Sequence, residues 1–188
     1  MKRSRGNIEQ NLNESHLADI QLFSLSEYEE DFAATLYNRV KGGRTESLGN
    51  SGHYRLFFLL KGRVHLYSGG YDKYLLYRKE FILLPAGASI TCRIEEDSRY
   101  VVLNCTGLMS KGNVIYFERL RKHADGGVIS CLTLPIRDRL NEVLSSFAAY
   151  PVERNQHQTI YDAMFILLRL LYTEEELLLM LHPMLQDS

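Results

Sequence analysis

The chain has no tryptophan, four prolines and three cysteines in 188 residues, and its 22 basic side chains nearly cancel its 23 acidic ones, for a formal charge of -1. Each shortage excludes something. The cysteines, Cys92, Cys105 and Cys131, are odd in number, sit in apolar surroundings and lack C-x-x-C spacing, which argues against a disulfide framework and for reduced core thiols. The near-zero charge provides no domain-wide field to attract nucleic acid or an anionic membrane. The most apolar stretch, Ile160 to Leu181, is broken by Arg169 and by Glu174 to Glu176, too polar to cross a bilayer. Met1-Lys-Arg-Ser-Arg-Gly6 leads into polar Asn7 to Glu14 rather than a hydrophobic run, so it is no secretory signal. The expectation is a soluble, cytoplasmic chain with no membrane partner.

Catalytic and metal-ligating patterns are missing too. The histidines His16, His53, His65, His123, His157 and His182 include no pair at metal spacing. Ser145-Ser146 has no paired base, and G-x-S-x-G does not occur. The expectation is a protein that is not an enzyme and carries no cofactor and no metal.

What the sequence does have is apolar and aromatic material: 45% hydrophobic and 11% aromatic residues, enough for one substantial core. It concentrates between Tyr54 and Cys105, in runs of four to eight residues cut by Lys61-Gly62, Ser68-Gly69-Gly70, Pro85-Ala86-Gly87 and Glu95-Glu96-Asp97. Short strands between regular turn signals predict an antiparallel sandwich or small barrel. Upstream, residues 1–15 read as a flexible polar arm, Ala33 to Val40 as an early strand, and Gly42 to Gly52, rich in Gly, Ser, Asn and Thr, as a loop.

Gly62 closing an apolar strand, the short strand Tyr74 to Leu76 and the run Phe81 to Gly87 with its P-x-G resemble the core of the cupin barrels. The resemblance implies a metal-binding His three residues after P-x-G, where this chain has Ile90, and an acidic ligand at the position of Arg55. It places the two remaining histidines near Gly49 and Ser51. A guanidinium cannot ligate a metal, and neither Gly nor Ile offers a side-chain lone pair. The cupin so implied is non-catalytic, its barrel holding a small molecule or nothing.

Past residue 110 the period changes from two to 3.6. Lys111 to His123 carries a basic cluster, Arg119, Arg121, Lys122 and His123, read as a solvated helix face with phosphate contact as the minor alternative. Ile136, Leu140, Val143, Leu144 and Phe147 fall on one helical stripe, with Pro135 expected in the opening turn. A second stripe, Ile160, Met164, Leu167, Leu168 and Leu171, follows Pro151. Thr173 with Glu176 forms a capping box for a last helix, expected to end at His182-Pro183.

A short-stranded barrel, the segment Leu134 to Phe147, a helix ending Leu170-Leu171-Tyr172-Thr173 and a final Glu174 to Leu185 together resemble the N-terminal part of the AraC transcription regulators, over roughly residues 20–188. The resemblance implies a mainly β, cupin-like jelly-roll barrel at residues 16–110 and a helical dimerisation and linker region at 111–188. It also implies an effector-sensing and dimerising role, with a small molecule such as a sugar in the barrel. In that family DNA is read by a C-terminal pair of helix-turn-helix units, for which these residues offer no basic recognition helix; the expectation is a piece of a longer regulator. The alternative is a small stand-alone cupin enzyme, an isomerase or dioxygenase acting on a polar metabolite.

The residues expected to line the ligand site are Arg55, Phe57, Tyr67, Tyr77 and Cys92. Alternation puts Phe57 and Leu59 on the inward face with Arg55. An inward guanidinium needs a ligand anion or hydroxyl, or an acidic side chain of the protein itself. The aromatic residues, Tyr54, Phe58, Tyr74 and Tyr100 among them, can stack on a sugar ring or simply fill the core. The dimer seam is expected along Ile136, Leu140, Val143, Leu144 and Phe147, unless that stripe packs on the second helix of its own chain.

Overall fold

The structure, a computed structural model, describes residues 36–68, 72–105, 110–123, 133–149 and 156–186. The proposed arm at residues 1–15, the first residues of the predicted early strand and Cys131 lie outside them. Eight strands come first: β1 Leu36–Val40, β2 Arg44–Asn50, β3 Tyr54–Lys61, β4 Arg63–Ser68, β5 Asp72–Tyr77, β6 Glu80–Leu84, β7 Ser89–Ile94 and β8 Ser98–Cys105. Helix α1 (Lys111–His123), a two-residue strand β9 (Leu134–Pro135) and helices α2 (Asp138–Ser146), α3 (His157–Leu171) and α4 (Glu174–Gln186) follow.

All the pairings are antiparallel, in the orders β1-β8-β3-β6-β9 and β2-β7-β4-β5. Without β9, the two sheets interleave eight strands as a jelly roll does, consecutive strands crossing repeatedly from one sheet to the other. The chain is therefore a cupin-like barrel, mostly β, with helices against one side.

The helices lie on the five-stranded sheet, and the reason is visible in β3. Its residues are buried without interruption from Arg55 to Leu60. Phe57 and Leu59 join Val64, Leu66, Leu76, Ile82, Ile90, Cys92, Ile94, Tyr100 and Val102 in the barrel interior. Leu56, Phe58 and Leu60 point the other way, joining Phe81, Leu83, Val101 and Leu103 in a second core with the helices. Strand alternation thus gives one sheet two apolar faces, and each needs its own cover. The four-stranded sheet has one: β4 alternates buried Val64, Leu66 and Ser68 with half-exposed Arg63, His65 and Tyr67.

Three sequence expectations fail for physical reasons. The loop expected at residues 42–52 is the turn Lys41–Gly43 followed by strand β2, the outer strand of its sheet, whose mostly exposed side chains carry no apolar alternation to read. Pro135 is not in a helix but in β9 opposite Glu80, on the outer edge of the sheet, where a missing N–H disrupts no ladder. The last helix does not stop at His182-Pro183: α4 runs on to Gln186, with Met184 and Leu185 buried in the helix-side core. A proline in the final turn forfeits one hydrogen bond, and apolar burial at roughly 1.5–3 kcal/mol per side chain offsets it.

The capping box forms as expected: the Thr173 N–H donates to Glu176 Oε2 at 2.8 Å and the Glu176 N–H to Thr173 Oγ1 at 3.2 Å. No helix among the described residues is long and apolar enough to cross a membrane.

Candidate ligand site in the barrel

Arg55 is the second residue of β3 and is 2% exposed. Its guanidinium donates to the main-chain carbonyls of Leu48 (2.6 Å), Gly49 (3.3 Å) and Ala88 (3.2 Å). Two of these acceptors become available through an irregularity in β2. The β2–β7 register slips between Ser47 and Gly49, and Gly49 takes φ +69, a left-handed conformation that side chains strain. Arg55 therefore ties β3 to the end of β2 and to the segment between β6 and β7. Where the sequence offered a ligand anion or an acidic side chain as partner, these bonds go to main-chain oxygens.

Phe57, the next inward residue, stacks on Tyr100 from β8 with ring centroids 4.9 Å apart. The Tyr100 hydroxyl donates to Glu46 Oε2 at 2.6 Å. Burial first, then this hydrogen bond, pushes the Tyr100 hydroxyl above its ordinary pKa, so it remains a donor. Glu46 stands on β2 opposite Cys92. Burial and, second, the Glu46 carboxylate push the Cys92 thiol up to about 12. Phe57 and Cys92 thus share the barrel interior with Tyr100, beside Glu46, while Arg55 is bonded at the end of the barrel where Leu48, Gly49 and Ala88 lie.

Tyr67 and Tyr77 do not join them. Leu66 and Leu76 occupy the inward positions of β4 and β5, so alternation turns both tyrosines outward. Tyr77 is 51% exposed, and Tyr67 stacks on His65, whose Nε2 lies 2.6 Å from Glu95 Oε1 on the outer face. Ile90 is buried in the barrel interior. Among the described residues no three His, Cys, Asp or Glu side chains gather as a metal site would require.

Glu46, the acceptor for Tyr100 in this candidate site, has no direct signal in the sequence. Its strand is polar and reads as loop, and its one signal is indirect: a tyrosine hydroxyl in the middle of an apolar strand such as β8 must find a partner.

The proposed dimer stripe divides. Ile136, Leu140 and Leu144 are buried in the chain's own helix-side core, while Val143 and Phe147 are only partly covered there. Val143 and Phe147 form one wall of an apolar groove of about 310 Å3 whose other wall is Ile160, Ile166, Leu167 and Leu170 of α3. Leu170 is 77% exposed and Ile166 48%.

No known family profile matches the sequence, and neither does any curated protein. Solved structures of cupin-like proteins match over part of the chain. They include the EutQ protein of Clostridium difficile (16% identity, 32% of this chain and 47% of that one, TM-score 0.29). Others are a cupin 2 conserved barrel domain protein of Leptotrichia buccalis (8%, 34% and 30%, 0.32) and a DUF861 family protein of Thermotoga maritima (13%, 42% and 88%, 0.33). The chain spans about half the length of the EutQ proteins it matches, 53% of one from Salmonella typhimurium and 47% of the Clostridium protein.

Proposed function

We propose that this chain is an effector-sensing and dimerisation domain of an AraC-type transcription regulator, with a small polar molecule bound in the barrel. One observation carries the reading: β3 and β8 line the barrel with Phe57, Leu59, Tyr100 and Val102, and through the alternate residues Leu56, Phe58, Val101 and Leu103 they seat the helices. A ligand that moves the inner face of these strands must move the outer face, because packed cores do not absorb displacement gradually. Arg55 and Glu46 offer a donor and an acceptor to a polyhydroxyl or anionic effector, with Phe57 and Tyr100 as the apolar wall.

The dimer seam in this reading moves from the stripe itself to the groove beside it, where Phe147, Ile166 and Leu170 are accessible to a second copy. In this reading DNA is contacted by a separate unit of the regulator.

The test combines two measurements. Native mass spectrometry of the gently purified chain is expected to show a retained small molecule or, after screening sugars and small acids, a saturable one. Light scattering is expected to show a dimer that Leu170→Glu converts to a folded monomer. A monomeric parent chain that takes up no small molecule would refute the reading.

A further inference from the structure

The four-stranded sheet ends on β5, and among the described residues no strand lies beyond it. The main-chain bonds show which of its groups face that open edge. Opposite Tyr77 stands Arg63, whose carbonyl accepts the Glu95 N–H at 3.0 Å on the β7 side, while the Tyr77 N–H turns away to donate to Glu80 Oε2 at 2.8 Å. That pair exchanges no bonds, and in an antiparallel ladder such pairs alternate with bonded ones. Val64–Leu76 and Leu66–Tyr74 are therefore the bonded pairs, and His65–Leu75 is not. Leu75 thus presents both its N–H and its C=O to the edge, and no group among the described residues takes them up.

Sheet edges in folded proteins are blunted, and the other outer strands here obey that rule. β9 is two residues long and contains Pro135, β2 carries the register slip between Ser47 and Gly49, and β1 carries the exposed Arg39. The stretch Tyr74 to Tyr77 has no proline, no register slip and no charged residue. Its outward side chains are Leu75, 36% exposed, and Tyr77, 51% exposed. Glu80 takes up only the amide at the end of the strand.

We propose that β5 pairs with β5 of a second copy of this chain, antiparallel about a two-fold axis perpendicular to the sheet beside Leu75, so that the two four-stranded sheets become one. The occupant follows from the strand itself. A row of N–H and C=O groups at two-residue spacing is met by another strand, and when identical antiparallel strands are related by a two-fold axis the central residue faces itself. Leu75 suits that place: its N–H donates to the C=O of Leu75 of the second copy and its C=O accepts in return, with the outer faces of both sheets on one side. The same register sets Asp72 opposite Arg78 of the second copy, so residues of opposite charge meet at both ends of the paired strands. A strand of 6 residues is far smaller than a stable interface of roughly 20–30 residues a side, so the contact is weak and depends on concentration. It is separate from the groove between α2 and α3 and does not rest on the effector reading.

The experiment oxidises the full chain carrying Leu75→Cys and, in parallel, the full chain carrying Tyr77→Cys, with copper phenanthroline. In this register the Cα atoms at position 75 of the two copies lie about 5.5 Å apart, within disulfide reach, whereas position 77 faces position 73 and is about 13 Å along the strand from its own counterpart. Leu75→Cys is expected to give a disulfide-linked dimer at least about tenfold faster than Tyr77→Cys, with peptide mapping placing the bond at position 75 rather than at a native cysteine. Leu75→Lys puts like charges opposite one another. With Leu170→Glu closing the groove to a second copy, sedimentation at concentrations well above those of light scattering should show association, and adding Leu75→Lys should abolish it with the circular dichroism spectrum unchanged. Equal rates at positions 75 and 77, or association that survives Leu75→Lys, would overturn the proposal. So would capture of Leu75→Cys by a synthetic valine–threonine strand with a central cysteine when the chain does not capture itself, since the edge would then belong to a foreign peptide.

Discussion

The sharpest consequences at the scale of single residues concern the buried polar groups. Arg55→Met removes the donor that three main-chain carbonyls share at one end of the barrel. Leu48 and Ala88 are half-buried and Gly49 is exposed, so water can take over part of the lost bonding and urea titration should show a loss of about 1–2 kcal/mol with the fold retained. An unchanged midpoint would mean that water replaces the guanidinium freely and that the residue is held in reserve for ligand.

The two buried thiols give a pH signature of definite sign. Burial pushes both Cys92 and Cys105 up to about 12, from an ordinary 9.0. A group that holds its proton more tightly when folded contributes stability that is complete below its unfolded pKa and is lost as pH rises towards the folded value. Stability measured by denaturant should therefore begin to fall above about pH 9, by roughly 1.4 kcal/mol per pH unit for each thiol. Alkylation at pH 8 followed by peptide mapping should find both thiols protected in the folded chain and modified in urea. Rapid labelling of Cys92 in the native state would show that the barrel opens to reagent.

Among the elements, legibility in the sequence tracked how much each one buries. Strands β3 to β8 were readable because their apolar runs are cut by real turns, and α3 because its stripe is regular. Strand β2 was not, because an outer strand with exposed side chains looks like any polar loop, and with it went Glu46, the acceptor for Tyr100. The outward placement of Tyr67 and Tyr77 is hidden for a related reason: an aromatic residue beside a leucine in a short strand does not reveal which of the two points inward until the register is known. For α2 the stripe was visible, but periodicity cannot say which neighbour covers it.

The helices supply their own tests. Leu140→Glu and Leu144→Glu each put a charge into the chain's own core and are expected to cause aggregation or unfolding rather than a clean monomer. Circular dichroism separates them from Leu170→Glu, which changes an exposed position. The N-terminus of α4 is a separate case. The Thr173 N–H holds the Glu176 carboxyl below its usual range, with Arg137 adding to the effect. That contribution is present above the ordinary carboxylate pKa and is lost as pH falls below it. Thr173→Ala should cost about 1 kcal/mol by thermal unfolding, and Glu176→Gln should remove the acid sensitivity of this helix end. If Thr173→Ala melts with the parent chain, water or a neighbouring group caps the helix instead.

At the scale of the whole molecule, the expectation of a metal-free barrel remains open to a direct measurement. The positions where the cupin resemblance implies ligands are Arg55, Ile90 and the neighbourhood of Gly49 and Ser51, and Ile90 is fully buried among apolar side chains. Elemental analysis after purification without chelators should find well under one equivalent of zinc, iron, manganese or nickel. Close to one equivalent would require donors outside this set and would bring the enzymatic alternative forward.

The double burial of β3 also determines how the molecule opens. That strand is flanked by β8 on one side and β6 on the other, and it is covered by the barrel interior on one face and by the helices on the other. No partial fluctuation can free its amides without separating both cores at once. The amide protons of Phe57 and Phe58 should then exchange with deuterium only as fast as the entire unit unfolds. Those of β2, bonded on one side and open to solvent along most of its length, should be gone long before. The barrel loosens from its polar rim inward, and β3 is the last part to let go.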